Sequence, residues 1–163
     1  MSNFIHETAK IATLVSIEIS SKGTHTYVGA FSSIDDFVKI KHVGGSGDIR
    51  IGEYSYINSG CVLYSGNGID IGNNVLIGPN CSIVPVNHEF KNPNELIRLQ
   101  GFQASKSGVV IEDDVWIGAG VTILDGAYIG KGAIIGANSL IMSKIEPFSI
   151  CVGTPSKVIK HRK

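Results

Sequence analysis

Aliphatic residues recur at every sixth position along most of the chain. Ile111, Ile117, Ile123, Ile129, Ile135 and Ile141 form one unbroken series; Ile51, Ile57 and Leu63 form a second, and Ile71, Ile77 and Ile83 a third. Weaker runs precede them at Ile5, Ile11 and Ile17, then at Val28, Ile34 and Ile40. A spacing of six fits neither the 3.6-residue period of a helix nor the alternation of a long strand.

The residues between the anchors explain the period. Three positions after an anchor stand Asn74, Asn80, Asp114, Gly120, Gly126, Gly132 and Asn138, types that tolerate a left-handed backbone at low cost. Four positions after an anchor the side chains are small or modest: Ser55, Cys61, Val75, Cys81, Val115, Val121, Ala127, Ala133 and Ser139. Each hexad therefore predicts a short strand, a corner and an inward-pointing small residue. Three hexads per turn build a flat-sided coil, and stacked coils pair equivalent strands around a column of aliphatic anchors. The predicted fold is all-β, a parallel β-helix shaped as a triangular prism of about six coils.

The repeat breaks where Ile83 and Ile111 stand 28 positions apart, across the polar stretch PVNHEFKNPNELIRLQGFQASKSG. That stretch predicts an excursion loop over 85–108, and long loops on rigid scaffolds commonly carry function. Smaller breaks fall at YSGNGID and GGSGD. A single domain over 1–163 is expected, with a short C-terminal tail over 147–163.

Composition narrows the function. Fourteen basic residues balance fourteen acidic ones, which gives no electrostatic reason to expect nucleic acid or an anionic membrane as a partner. No apolar run approaches the roughly eighteen residues of a membrane span, and MSNFIHETAK lacks a signal-peptide layout, so a soluble cytoplasmic protein is expected. Cys61, Cys81 and Cys151 are odd in number and form no CxxC pair, which points to buried thiols rather than a disulfide framework or zinc knuckle. No Walker loop, G-x-S-x-G elbow or H-E-x-x-H is present.

The segments IGNNVLIGPNCSI, VVIEDDVWIGAGVTILDGAYIGKGAIIGANSLI and VGTPSKVIK resemble the hexapeptide-repeat acyltransferases, in particular the galactoside and maltose acetyltransferases and related enzymes of bacterial surface polysaccharides. The resemblance implies a left-handed coil, against the usual crossover hand. It also implies acetyl-CoA as co-substrate and a sugar hydroxyl or amine as acceptor, in polysaccharide or lipopolysaccharide biosynthesis. A homotrimer with its active sites between subunits is implied as well.

Carried onto this sequence, the resemblance implies that His88, five residues after Ile83, is the general base. An imidazole that titrates near neutrality suits proton removal from the attacking acceptor. Asn58 matches an acceptor-binding asparagine, but Gly66 stands where the galactoside enzymes have an aspartate. On the donor side, Trp116 matches a tryptophan near the pantetheine arm, and Ala119 and Ala137 match small residues whose backbone groups bond that arm. Lys157 and Lys160 suit the nucleotide phosphates. Glu89 and Asp70 are the carboxylates near enough in sequence or coil to orient His88, and neither is singled out.

Two other readings stand beside this one. A γ-carbonic-anhydrase-like zinc enzyme would need three histidines on neighbouring coils, and His6, His25, His42, His88 and His161 lack that clustering; no metal is expected. A non-catalytic assembly module is permitted by the fold alone. The short tail leaves no room for the helical domain of serine acetyltransferases, which disfavours an amino-acid acceptor.

Overall fold

In the computed structural model, which describes residues 3–163, the chain winds into the expected left-handed parallel β-helix. Three parallel sheets form the faces of a prism. The first face begins with Phe4–Ile5 and continues through Thr26–Val28, Ile49–Ile51, Ile69–Ile71, Val109–Ile111, Tyr128–Ile129 and Lys144–Ile145. The second contains Tyr56–Ile57, Leu76–Ile77, Trp116–Ile117, Ile134–Ile135 and Ser149–Val152, and the third contains Val62–Tyr64, Ser82–Val84, Thr122–Leu124 and Leu140–Ile141. The chain passes from first to second to third face in each coil, so three edges separate the faces.

Register follows the anchors. Ile57, Ile77, Ile117 and Ile135 pair in sequence up the second face, and Leu63, Ile83, Ile123 and Ile141 up the third. These side chains are almost wholly buried in one continuous core. The first coil is the exception: Ile5 is 42% exposed because no coil stacks beyond it among the described residues.

The corners take the expected conformation, with Asn74, Asn80, Asp114 and Asn138 at φ of 57° to 58° and Gly120, Gly126 and Gly132 also at positive φ. Corner side chains stitch neighbouring coils together. Asn73 Oδ1 accepts from the Glu53 N–H at 2.7 Å, and Asp113 Oδ1 accepts from the Asn73 N–H at 2.7 Å. The inward small residues do the same from within: Cys61 Sγ donates to Gly78 O, Cys81 Sγ to Gly118 O, and Ser55 Oγ to Gly72 O. Serine and cysteine are thus interchangeable here as small donors that satisfy a corner carbonyl.

The C-terminal stretch is more ordered than a tail. Ser149–Val152 completes the second face, and Lys157–His161 folds back antiparallel onto it. No helix among the described residues is long and apolar enough to cross a membrane.

Candidate active site

The excursion leaves the coil after Val84 and rejoins it at Val109, on the edge between the third and first faces. Near its base it doubles into a short antiparallel ribbon. His88 bridges to Phe102, with the Glu89 N–H donating to Gly101 O at 3.0 Å and the Gln103 N–H to Asn87 O at 2.9 Å. The His88 ring lies against the Phe102 ring, 4.8 Å between centroids and inclined by 32°. It borders a cavity shared with Asn87, Gln103, Lys106, Leu124 and Asp125. The imidazole is exposed and its nitrogens make no hydrogen bond among the described residues, so it is open to a substrate proton.

Neither carboxylate near His88 is turned to it. Glu89 Oε1 accepts from the Phe90 and Lys91 N–H groups at 2.8 and 3.1 Å, which holds its carboxyl below the usual range and commits it to the local turn. Asp70 stands on the first face and pairs with Arg50 at 3.8 Å. Gln100 closes the tip of the excursion, where Nε2 donates to Asn92 O and Glu95 O while Oε1 accepts from the Asn92 N–H.

The other sequence-derived residues gather elsewhere, on the second face and the edge that follows it. Asn58 begins that edge; its Oδ1 accepts from the Ser59 N–H at 2.8 Å, a corner bond. One coil earlier, Asp35 Oδ2 accepts from Tyr56 Oη and Ser59 Oγ, both at 2.9 Å, and these bonds hold its carboxyl low. Further along, Ala119 and Ala137 stack on the same edge, where the Asn138 N–H donates to Ala119 O at 2.9 Å. Both alanines are exposed, and their backbone N–H groups donate to nothing among the described residues. The close stacking depends on glycine. A Cβ on Gly78 would meet Ala119 N at 2.8 Å, and one on Gly118 would meet Ala137 N at 2.7 Å.

On the second face itself Trp116, Ile134, Ile150 and Lys160 pair in one column. Trp116 is 53% exposed, and three strand spacings, roughly 14 Å, separate it from Lys160. Lys157 lies on the same added strand, opposite Val152. A flat face thus carries an exposed indole at one end and two ammonium groups at the other, beside an edge of free backbone donors. His88 lies on a different edge, so one chain does not bring it together with these residues.

The cysteines are buried inside the coil. Cys81 beside it and burial push the Cys61 thiol up, and burial does the same to Cys151. Among the described residues no group of three or more His, Cys, Asp or Glu side chains stands in a metal-binding arrangement. His42 is buried, with Nδ1 2.8 Å from Thr24 Oγ1 and Nε2 3.1 Å from Thr26 Oγ1. One relevant residue escaped sequence reasoning: Asp125, a buried carboxylate in a hexad otherwise like its neighbours.

The family description bacterial transferase hexapeptide (six repeats) matches residues 108–142. The chain is 30% identical over 144 residues to a chloramphenicol acetyltransferase of Klebsiella aerogenes, covering 71% of this chain and 68% of that protein. It belongs to the hexapeptide-repeat acyltransferase family. A galactoside O-acetyltransferase of Lactococcus lactis is 38% identical over 114 residues, covering 70% of this chain and 53% of that one. The chain spans about half the length of several such curated relatives. Among solved structures, a mutant of the Bacillus cereus N-acyltransferase AntD, in complex with dTDP-4-amino-4,6-dideoxyglucose and coenzyme A, superposes with a TM-score of 0.81. It is 26% identical and covers 99% of this chain and 84% of that one.

Proposed function

We propose that the protein is an acetyltransferase that moves an acetyl group from acetyl-CoA to a hydroxyl or amine of a sugar, with His88 as general base. The observation that carries the reading is the placement of His88: an unpartnered imidazole at the mouth of the excursion, bordering a cavity, in a family of acyltransferases. Relatives acting on a galactoside and a neighbour holding an amino-sugar nucleotide support a sugar acceptor. Biosynthesis of bacterial polysaccharide or lipopolysaccharide is the setting in which such an acceptor arises.

The second face supplies the donor site. Lys157 and Lys160 meet the nucleotide phosphates, the pantetheine arm runs along the edge of Ala119 and Ala137 as an added strand would, and Trp116 packs against it. Asn58, at the head of that edge, binds the acceptor. His88 takes the proton from the acceptor as its oxygen or nitrogen attacks the thioester carbonyl. The new bond to the acetyl carbon forms, the C–S bond breaks, and the proton passes on to the departing thiolate. No acyl-enzyme is involved, since the cysteines are buried inside the coil.

Assembly completes the site. His88 and the donor face stand on separate edges, and a homotrimer would bring His88 of one subunit to the donor edge of the next. The third face, beside His88, presents Val62, Ser82, Thr122 and Leu140 as a half-buried row suited to such packing.

The direct test of the donor is the melting temperature with and without acetyl-CoA or free CoA, since a ligand bound only by the folded state raises it. A rise with both is expected; no shift at millimolar concentration would contradict the reading. An acceptor panel with a thiol readout then identifies the sugar.

A further inference from the structure

We propose that Asp125 is the positioning residue of this site: its carboxylate ties the returning foot of the 85–108 excursion to the coil directly and the outgoing foot through Asn67, and so fixes where His88 stands. The inference rests on the reading of His88 as the base.

Asp125 follows the strand Thr122–Leu124 on the third face, at the edge where the excursion departs. It is only 4% exposed, and no cationic side chain pairs with it among the described residues. A carboxylate taken out of water in this way requires hydrogen-bond donors. Asp125 has three. Oδ1 accepts from the Gly108 N–H at 3.0 Å; Oδ2 accepts from the Lys106 N–H at 2.9 Å and from Asn67 Nδ2 at 3.1 Å.

Two of those donors belong to the returning end of the loop, and the third, Asn67 of the preceding coil, reaches its outgoing end. Lys106 and Gly108 form the returning foot, and the Gly126 N–H next to Asp125 adds a 2.7 Å bond to Gly108 O. Asn67 holds the outgoing foot, because its own N–H donates to Pro85 O at 3.0 Å. Between these feet and the tip of the excursion runs the ribbon in which His88 faces Phe102. Ser107, inside the returning foot, has φ of 94°, a conformation that a serine keeps only when its neighbours hold it there. A shift of the feet therefore moves His88, Gln103 and Lys106 together, and all three border the cavity that Asp125 also lines.

A mere stabiliser of the coil and a positioning residue differ in what they change. Asp125→Asn keeps the shape but must turn an NH2 group towards an N–H that needs an acceptor. Hydrogen exchange on the full chain should then accelerate about tenfold or more across 85–108 while the 109–124 strands stay protected. Turnover per folded molecule should fall about tenfold or more, with acetyl-CoA affinity within about twofold of the parent. Asn67→Ala, which loses one of the three bonds, should shift both readouts the same way by less, and it serves if Asp125→Asn does not fold. Unchanged exchange in 85–108 would overturn the tie, and faster exchange with unchanged turnover would overturn the positioning role. A parent protein with no transferase activity would sink the functional reading while leaving the exchange arm to judge the tie.

Discussion

Asn58 and His88 stand on different edges of the prism, with the whole third face between them. In a site shared between subunits, each chain then contributes one of the two to two different sites. Co-expressing His88→Ala with Asn58→Ala should therefore restore activity that neither variant shows alone. Random mixing leaves both residues intact at about a quarter of sites, so about a quarter of parental activity is expected. Complete absence of complementation in verified mixed oligomers would place the two residues outside a shared site.

Lys157 and Lys160 act, in this account, on phosphate rather than on the reacting thioester. Their neutralisation to Ala should raise KM for acetyl-CoA roughly two- to fivefold each, the order of an exposed charge contact, and leave kcat unchanged. The effect should shrink at high salt. Steady-state kinetics at two ionic strengths checks both points.

Gly118 sits where the edge that carries Ala119 and Ala137 is closely stacked. A Cβ there would meet Ala137 N at 2.7 Å and Ala137 Cα at 3.0 Å, backbone atoms that cannot step aside. Gly118→Ala is expected to cost about 1–3 kcal/mol, read as a fall in melting temperature of roughly 3–10 °C. Retention of the parental melting temperature would mean that the coil spacing is more yielding than the geometry indicates.

His42 makes stability depend on pH. Burial among Thr24 and Thr26 holds its pKa below the ordinary histidine value, outweighing the opposite pull of Glu18 and Asp48. The unfolded chain then binds the proton more readily, so stability is full above about pH 6.5 and declines as pH falls below it. The slope from this one group is at most about 1.4 kcal/mol per pH unit. Denaturant midpoints measured between about pH 7.5 and 5.5 should show the decline, and His42→Gln should flatten it.

Much of this architecture was legible in the sequence because a period of six ties each residue to a corner, a face or the core. Asn74 and Cys61 take the conformation and burial their hexad positions predict, and no longer-range information was needed. The excursion was legible only as an interruption. Its internal order depends on pairings without period, such as His88 with Phe102 and Asp125 with Lys106, which arise from where the rigid coil places the loop's two ends. The readings of Glu89 and Asp70 stayed open for the same reason, and the structure directs both carboxylates elsewhere. The stretch over 147–163 reads as a tail because the series of anchors six apart ends at Ile141, yet Ile150 and Cys151 still complete a coil.

In the proposed reaction His88 removes the acceptor proton as the acetyl group leaves acetyl-CoA. Thiol release from acetyl-CoA by the parent protein and by His88→Ala, each saturated with an acceptor sugar, decides whether it does. His88→Ala should lose at least about a hundredfold in turnover with the thermal shift by acetyl-CoA preserved. Near-parental turnover in the variant would contradict it and remove His88 from the chemistry.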